Sequence, residues 1–191
     1  LTQPRPDFQL LETMLWEPEA GIFLLNEHMQ RLGKSAAYFD VPLDVYAIQD
    51  ELDRVVSEFD AMPQRIRLLV SRDGNSEIQT FPEEGCSNAS PTEGRKAFDA
   101  EGDRFPPDGR GNDTTPTRVA IAQSPVDSQD IFLYHKTTHR IAYDKAKEAC
   151  PDCDEVILWN ERGEVTEGCI TSVVIRKEGK LITPPIECGL L

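Results

Sequence analysis

The chain has 191 residues, 39% of them apolar, which is enough for the core of one large domain or two small ones. Its formal net charge of −14 argues against nucleic acid or an anionic membrane as partner, since both attract a basic surface. No apolar run approaches the ~18 residues of a membrane span and no signal peptide is visible, so we predict a soluble, cytoplasmic protein.

The first half begins with an apolar segment at residues 8–16 that predicts a β-strand, although periodicity alone leaves a helix open. A turn with Pro and Gly follows, and residues 22–25 are predicted as a short return strand, which makes a hairpin. The apolar spacing over residues 27–39 predicts a helix, for which Asn26 is the expected cap.

Asp44 is predicted to cap a second helix, because apolar residues recur at helical spacing from Val45 to Phe59. Residues 64–72 are predicted as a strand that ends at a turn with Gly74. The apolar pattern then disappears over residues 80–116, to which we assign a long irregular insertion without secondary structure.

The second half is predicted to be rich in β-hairpins around one helix at residues 141–150. Its predicted strands are 155–159, 164–166, 172–176 and 181–183, after a strand at 117–122. We therefore predict an α+β (mixed α/β) protein with a small N-terminal domain at 1–122, a linker at 123–130 and a β-rich domain at 131–191.

Five cysteines occur, and an odd number without a secretory signal indicates reduced cytosolic thiols. Cys150 and Cys153 have the spacing of a zinc or redox motif, but the sequence has no second such pair and no nearby HxxxH pattern. Two small residues at the end of a helix are the simpler interpretation, and we predict no metal site.

Lys136 is the first candidate functional residue. An apolar run at residues 131–134 precedes it and the predicted helix follows it. A lysine in such a place can be held in one position and partly desolvated, which lowers its pKa and frees the amine to attack a carbonyl. Most lysines are solvated surface charges, so the position alone is weak support for this role.

Four stretches of the chain, in order, resemble one known family. They are LLETMLW at 10–16, H-x-x-R-L at 28–32, K-x-x-x-R at 136–140 and V-T-E-x-C at 165–169. The family is the class IV aminotransferases, whose members use pyridoxal 5'-phosphate in a two-domain architecture called fold-type IV. The resemblance covers nearly the whole chain outside residues 80–116, and the order and spacing of the motifs are more specific than any single one.

The resemblance implies a cofactor site. Lys136 matches the lysine that carries pyridoxal 5'-phosphate, and Glu167 matches the carboxylate that pairs with the pyridine nitrogen. Arg31 matches an arginine that contacts the phosphate. The remaining matched positions are Ile170, Thr171 and Ser172, in a turn that reaches the phosphate, and Leu191 or Leu190, beside the ring. Without the resemblance, Glu167 can be a plain edge-strand charge, although its place between a strand and a turn favours partial burial. The H-x-x-R-L pattern alone indicates a solvated helix residue at Arg31.

The resemblance also implies a reaction. The K-T-T-x-R wording and the cysteine two places after Glu167 resemble the lyase branch, which converts 4-amino-4-deoxychorismate to 4-aminobenzoate and pyruvate for folate biosynthesis. A branched-chain or D-amino-acid aminotransferase and a truncated, non-catalytic paralogue are the alternatives. In each enzymatic case the substrate is a small amino-acid-like molecule, and the family implies a homodimer.

Two positions depart from the family pattern. Ser172 stands where many relatives have Asn, and the chain ends at Leu191, where relatives continue into a Gly-containing turn that completes the phosphate site. We therefore expect a fragment, a shortened gene model or a shortened paralogue.

Overall fold

The computed structural model describes residues 6–83 and 118–191. Its contacts divide the chain into two compact units. The described part of one unit is 10–83, and that of the other is 6–9 with 118–191. Most of the predicted insertion at 80–116 lies outside the described residues.

Within residues 10–83, the first unit contains a four-stranded antiparallel sheet and two helices. The strands are β1 (Leu10–Glu17), β2 (Gly21–Ile22), β3 (Gln64–Val70) and β4 (Ser76–Pro82), in the spatial order β2-β1-β3-β4. The helices are α1 (Leu25–Phe39) and α2 (Val45–Ser57). Fully buried side chains from both kinds of element form its core, among them Leu10, Met14, Leu32, Leu52, Ile66 and Leu68.

The predicted hairpin, the strand at 64–72 and both helices are confirmed in this unit, with corrections at two boundaries. The return strand ends at Ile22, since Leu24 has a φ of 53° and α1 begins at Leu25. Asn26 is therefore inside the helix and does not cap it. Asp44 is confirmed as the cap of α2, because its side chain accepts a hydrogen bond from the Ala47 N–H.

β4 corrects the prediction that structure is absent from residue 80 onward. This strand pairs with β3 along its whole length, from Val70 opposite Ser76 to Gln64 opposite Pro82. Its side chains are all exposed or half-buried, so its sequence carries no apolar period that could have revealed it.

In its described part, the second unit contains a three-stranded sheet, a two-stranded sheet and one α-helix. The strands are β5 (Val119–Ile121), β6 (Glu155–Trp159), β7 (Val165–Gly168), β8 (Ile175–Lys177) and β9 (Lys180–Ile182), and the helix is α3 (Ile141–Glu148). β6 lies between β5 and β7 in the larger sheet. Its core is formed by Ala122, Val126, Leu133, Tyr143, Val156, Leu158 and Cys169.

The position of β5 differs from the predicted domain boundary. β5 pairs in parallel with β6, and Val126 bridges to Asn160, so residues 118–130 belong with the following part of the chain. The sequence pattern instead predicts 117–122 in the first domain and 123–130 as a linker. Parallel pairing joins residues distant in sequence, which a local pattern does not reveal.

The predicted strand at 172–176 is shortened and shifted to β8. The apolar run before Lys136 forms a short 3-10 helix at Ile131–Leu133. The Cα atoms of Cys150 and Cys153 lie 5.6 Å apart just after α3, and the reduced state of this pair stays a prediction. Within 6–83 and 118–191, no helix is long and apolar enough to cross a membrane.

Candidate active site

Lys136 lies in the loop between the Ile131–Leu133 turn and α3, and this loop is fixed at several points. Leu133, three residues before the lysine, is 1% exposed, and Thr137 is 3% exposed. The backbone N–H of Thr138 donates to the Gln9 carbonyl at 2.9 Å, and the Gln9 N–H donates to the Thr138 hydroxyl at 2.9 Å. The half-buried Lys136 is therefore presented by an anchored backbone.

Glu167 is a buried carboxylate on β7, close enough to Lys136 for the two charges to interact. Burial raises its pKa above the usual range. A hydrogen bond from the Tyr143 hydroxyl, the backbone N–H of Leu191 and the positive charges of Lys136 and Arg140 offset part of this increase. The structure thus brings together the two residues that the sequence analysis assigned to the amine and the ring-nitrogen partner.

Tyr143 is a residue of this site for which the sequence motifs predict no role. It lies on α3, is 4% exposed, and its hydroxyl donates to Oε1 of Glu167 at 2.6 Å. Burial and the charge of Glu167 both raise the pKa of Tyr143, so its hydroxyl stays protonated and remains a donor. A tyrosine on the buried face of a short helix needs a partner for its hydroxyl, which was the available sequence signal.

Arg140 completes the surroundings of Tyr143. Its guanidinium carbon lies 4.2 Å from the centre of the Tyr143 ring, in a cation–π arrangement, and its Nη2 donates to the carbonyl of Cys169. The arginine of the K-x-x-x-R motif therefore connects the start of α3 to the end of β7.

Glu155 organises the turn that follows Glu167. Oε1 accepts hydrogen bonds from the N–H groups of Val156 and Cys169, at 2.8 and 3.0 Å. Oε2 accepts from the N–H of Ile170 at 3.1 Å and from the N–H and hydroxyl of Thr171 at 3.0 and 2.8 Å. Burial opposes ionisation of Glu155, but these donors outweigh it and its pKa is lowered.

This arrangement bears on the predicted phosphate contacts of the turn. The donors of Ile170 and Thr171 are directed at Glu155, and Ser172 is exposed. Ile170 and Thr171 therefore already have Glu155 as the acceptor of their N–H groups. A phosphate-binding role for the three residues stays a prediction.

Arg31 is held by a buried carboxylate in the first unit. Its Nε donates to Oε1 of Glu12 at 2.8 Å and its Nη2 donates to Oε2, while Nδ1 of His28 lies 2.8 Å from Oε2. Glu12 is 1% exposed; burial disfavours its charge, but the hydrogen bonds from Arg31 and His28 lower its pKa. Two of the four sequence motifs thus meet in one cluster, and the predicted phosphate contact of Arg31 stays a prediction.

The last residues of the chain are fixed to the hairpin between β6 and β7. Nη2 of Arg162 donates to the Glu187 carbonyl at 2.9 Å, and Nδ2 of Asn160 donates to the Cys188 carbonyl at 3.1 Å. Of the two leucines that the sequence left open, Leu190 is buried, and Leu191 is half-buried with its N–H directed at Glu167.

Comparison with known proteins places these motifs in a family. The model of a family described as "Amino-transferase class IV" matches residues 9–191. A Schizosaccharomyces pombe protein named "Putative aminodeoxychorismate lyase" is 27% identical over 184 residues, which are 95% of this chain and 68% of the relative. A Thermotoga maritima protein named "Probable branched-chain-amino-acid aminotransferase" is 29% identical over 170 residues, which are 88% of this chain and 54% of the relative.

Solved structures support the same assignment. A crystal structure described as a "Putative amino-acid aminotransferase" from Mesorhizobium loti is 30% identical, with a TM-score of 0.72 over 96% of this chain and 78% of that one. The predicted mixed α/β, fold-type IV architecture is thereby confirmed. The resemblance seen in the four motifs is confirmed as well: the chain belongs to the class IV aminotransferase family.

Proposed function

We propose that Lys136 carries pyridoxal 5'-phosphate and that Glu167 pairs with the ring nitrogen of the cofactor. The supporting observation is the interaction of the Lys136 charge with a carboxylate that is only 7% exposed. A buried carboxylate with a raised pKa lacks full compensation for its charge, and a protonated ring nitrogen would supply it. The residues present therefore fit this cofactor.

The bound cofactor would supply an electron sink for the bonds at the amine-bearing carbon. Lys136 would bind the aldehyde carbon and, once displaced by the substrate amine, would hold and move a proton. Glu167 would keep the ring nitrogen protonated, which the electron sink requires. The anchored backbone on both sides of Lys136 would keep its amine in reach of one carbon atom.

For the reaction, we propose the lyase that releases 4-aminobenzoate and pyruvate from 4-amino-4-deoxychorismate. Lys136 would take the proton from the amine-bearing carbon and deliver one to the departing pyruvyl carbon, while the ring becomes aromatic. Two observations support this choice: the K-T-T-x-R motif, and the similarity to the Schizosaccharomyces pombe protein that is named "Putative aminodeoxychorismate lyase". We also propose that the substrate is a small amino-acid-like molecule and that the protein is a cytoplasmic homodimer.

An aminotransferase for branched-chain or D-amino acids is the second candidate, supported by the 29% identity to the Thermotoga maritima relative. The two reactions differ in their need for an acceptor. A lyase releases pyruvate from its single substrate, whereas an aminotransferase depends on a keto acid such as 2-oxoglutarate. Assays with and without a keto acid would therefore distinguish them.

The cofactor assignment is tested by covalent trapping. The chain is incubated with pyridoxal 5'-phosphate, reduced with borohydride, and analysed by intact mass and peptide mapping. One adduct at Lys136 is expected, lost in Lys136→Ala and retained in Lys145→Ala, which removes an exposed lysine of α3. Adducts spread evenly over surface lysines, or no adduct, would contradict the proposal and favour a non-catalytic paralogue.

A further inference from the structure

Tyr143 and Glu167 form a buried hydrogen bond that the proposed cofactor chemistry does not by itself require. The hydroxyl comes from α3 and the carboxylate from β7, 24 residues apart, with a separation of 2.6 Å between Tyr143 Oη and Glu167 Oε1. Tyr143 is 4% exposed and Glu167 is 7% exposed. A phenylalanine would fill nearly the same volume, so packing alone does not require the hydroxyl. What the hydroxyl adds is its hydrogen bond to the Glu167 carboxylate.

We propose that Tyr143 is a positioning residue, whose hydroxyl holds the Glu167 carboxylate in the orientation and charge state in which it pairs with the ring nitrogen of the cofactor. This inference rests on the proposed function. It extends that function, because Tyr143 would act through Glu167 without touching the reacting atoms.

The charged and titratable groups around the pair support this role. Glu167 faces Lys136, Arg140 and Tyr143, and Tyr143 faces Arg140, Glu167 and the Cys169 thiol. The hydroxyl of a phenol can donate only while it is protonated, and the surroundings of Tyr143 keep it so. Its hydrogen bond therefore stabilises the charged carboxylate and never competes with it for a proton.

Arg140 fixes the ring that carries this hydroxyl. Its guanidinium lies over the Tyr143 ring and is itself held by the Cys169 carbonyl. A hydroxyl on a ring that cannot turn away specifies the orientation of a carboxylate better than a mobile donor would. The positive charge of Arg140 also interacts with Glu167. The Tyr143 hydrogen bond and this charge therefore both favour the ionised form of Glu167.

The test measures the acid itself. In the full chain with glutamate labelled with ¹³C at the side-chain carboxyl, the Glu167 resonance is identified by its loss in Glu167→Gln and titrated by NMR. In Tyr143→Phe we expect its pKa to rise by roughly one to two pH units, the equivalent of a hydrogen bond to a charged group. Tyr134→Phe is the matched control, since it removes a hydroxyl that donates to the Ser128 carbonyl at 2.8 Å in the same unit.

An unchanged Glu167 pKa in a folded Tyr143→Phe variant would overturn the inference. If that variant does not fold, 3-fluorotyrosine at position 143 keeps the ring and the hydroxyl but makes the phenol a stronger donor. The Glu167 pKa is then expected to fall, and no change or a rise would overturn the inference.

Cofactor binding separates this inference from the function on which it rests. We expect Tyr143→Phe to weaken pyridoxal 5'-phosphate affinity by about tenfold, the factor equivalent to a one-unit rise in the pKa of Glu167. The Lys136 adduct should still form at saturation. A Lys136 adduct in the unsubstituted chain together with unchanged affinity in the variant would reject the role of Tyr143 alone. Absence of that adduct from the unsubstituted chain would reject the proposed function.

Discussion

Glu155 holds Thr171 by two hydrogen bonds to the same oxygen atom, one from the backbone N–H at 3.0 Å and one from the side-chain hydroxyl at 2.8 Å. The carboxylate is 8% exposed and comes from β6, 16 residues before the threonine. Since β7 leads directly into this turn, the contact fixes the backbone on the C-terminal side of Glu167.

The first prediction concerns the charge of Glu155. Glu155→Gln should lower the free energy of unfolding of the second unit by about 2 kcal/mol, because a charged acceptor is lost and an amide N–H is turned toward other donors. The unfolding curve is recorded in urea by the fluorescence of Trp159, in a Trp16→Phe background. Glu148→Gln, an exposed carboxylate on α3, should change the same free energy by less than about 0.5 kcal/mol. Equal losses in the two variants would contradict the structural role of Glu155.

The second prediction compares two glycines. A Cβ at Gly168 would lie 2.6 Å from the Thr171 hydroxyl and 2.9 Å from both the Thr171 carbonyl and Oε2 of Glu155, so Gly168→Ala should destabilise by about 1–3 kcal/mol. A Cβ at Gly33, inside α1, would meet nothing within 4 Å, and Gly33→Ala should stabilise by up to about 1 kcal/mol. Thermal and urea unfolding measure both changes in the free energy of unfolding. The same sign for the two variants would show that the space around the added Cβ does not decide the effect.

The third prediction concerns the cluster of Glu12, His28 and Arg31. Glu12→Gln should cost about 2 kcal/mol at pH 7, less than the roughly 3–5 kcal/mol of a fully buried pair, because the Arg31 side chain is 38% exposed. Trp16, which is 6% exposed in the same unit, reports the unfolding in a Trp159→Phe background.

The pH dependence of this cluster follows from the lowered pKa of Glu12. The unfolded chain takes up the proton first as the pH falls, so the contribution of Glu12 is complete above about pH 4.5 and is lost as the pH falls through its folded-state pKa. The free energy difference between the unsubstituted chain and Glu12→Gln should therefore narrow below about pH 4.5. A difference that stays constant down to pH 2 would show that the carboxylate charge is not the source of the stabilisation.

The fourth prediction concerns the start of α2. Asp44→Ala removes the side chain that accepts from the Ala47 N–H at 3.0 Å, and should cost about 1 kcal/mol. Asp44→Ser keeps an acceptor at the cap and should lower the free energy of unfolding by only about a few tenths of a kcal/mol. Urea unfolding followed by Trp16 measures both, and equal losses would argue against capping as the cause.

The sequence predicted the elements that depend on neighbouring residues. The capping aspartate and apolar stripe of α2 and the apolar runs of β1 and β6 carry local signals, which the structure confirms. The order of four short motifs was enough to indicate the family. β4 and the extent of β8 were missed because their side chains are half-buried or exposed and lack an apolar period.

The sequence by itself determined which chemical groups the chain carries, a lysine before a helix and a glutamate at the end of a hairpin, because these follow from composition and local pattern. Only the tertiary structure decided their partners. Tyr143 reaches Glu167 across 24 residues and Arg31 reaches Glu12 across 19. The N–H groups of Ile170 and Thr171, in the turn predicted to reach a phosphate, donate to Glu155. Such pairs form where separate elements pack together. They are selected because a buried charge without a hydrogen-bond partner costs free energy, which no local period records.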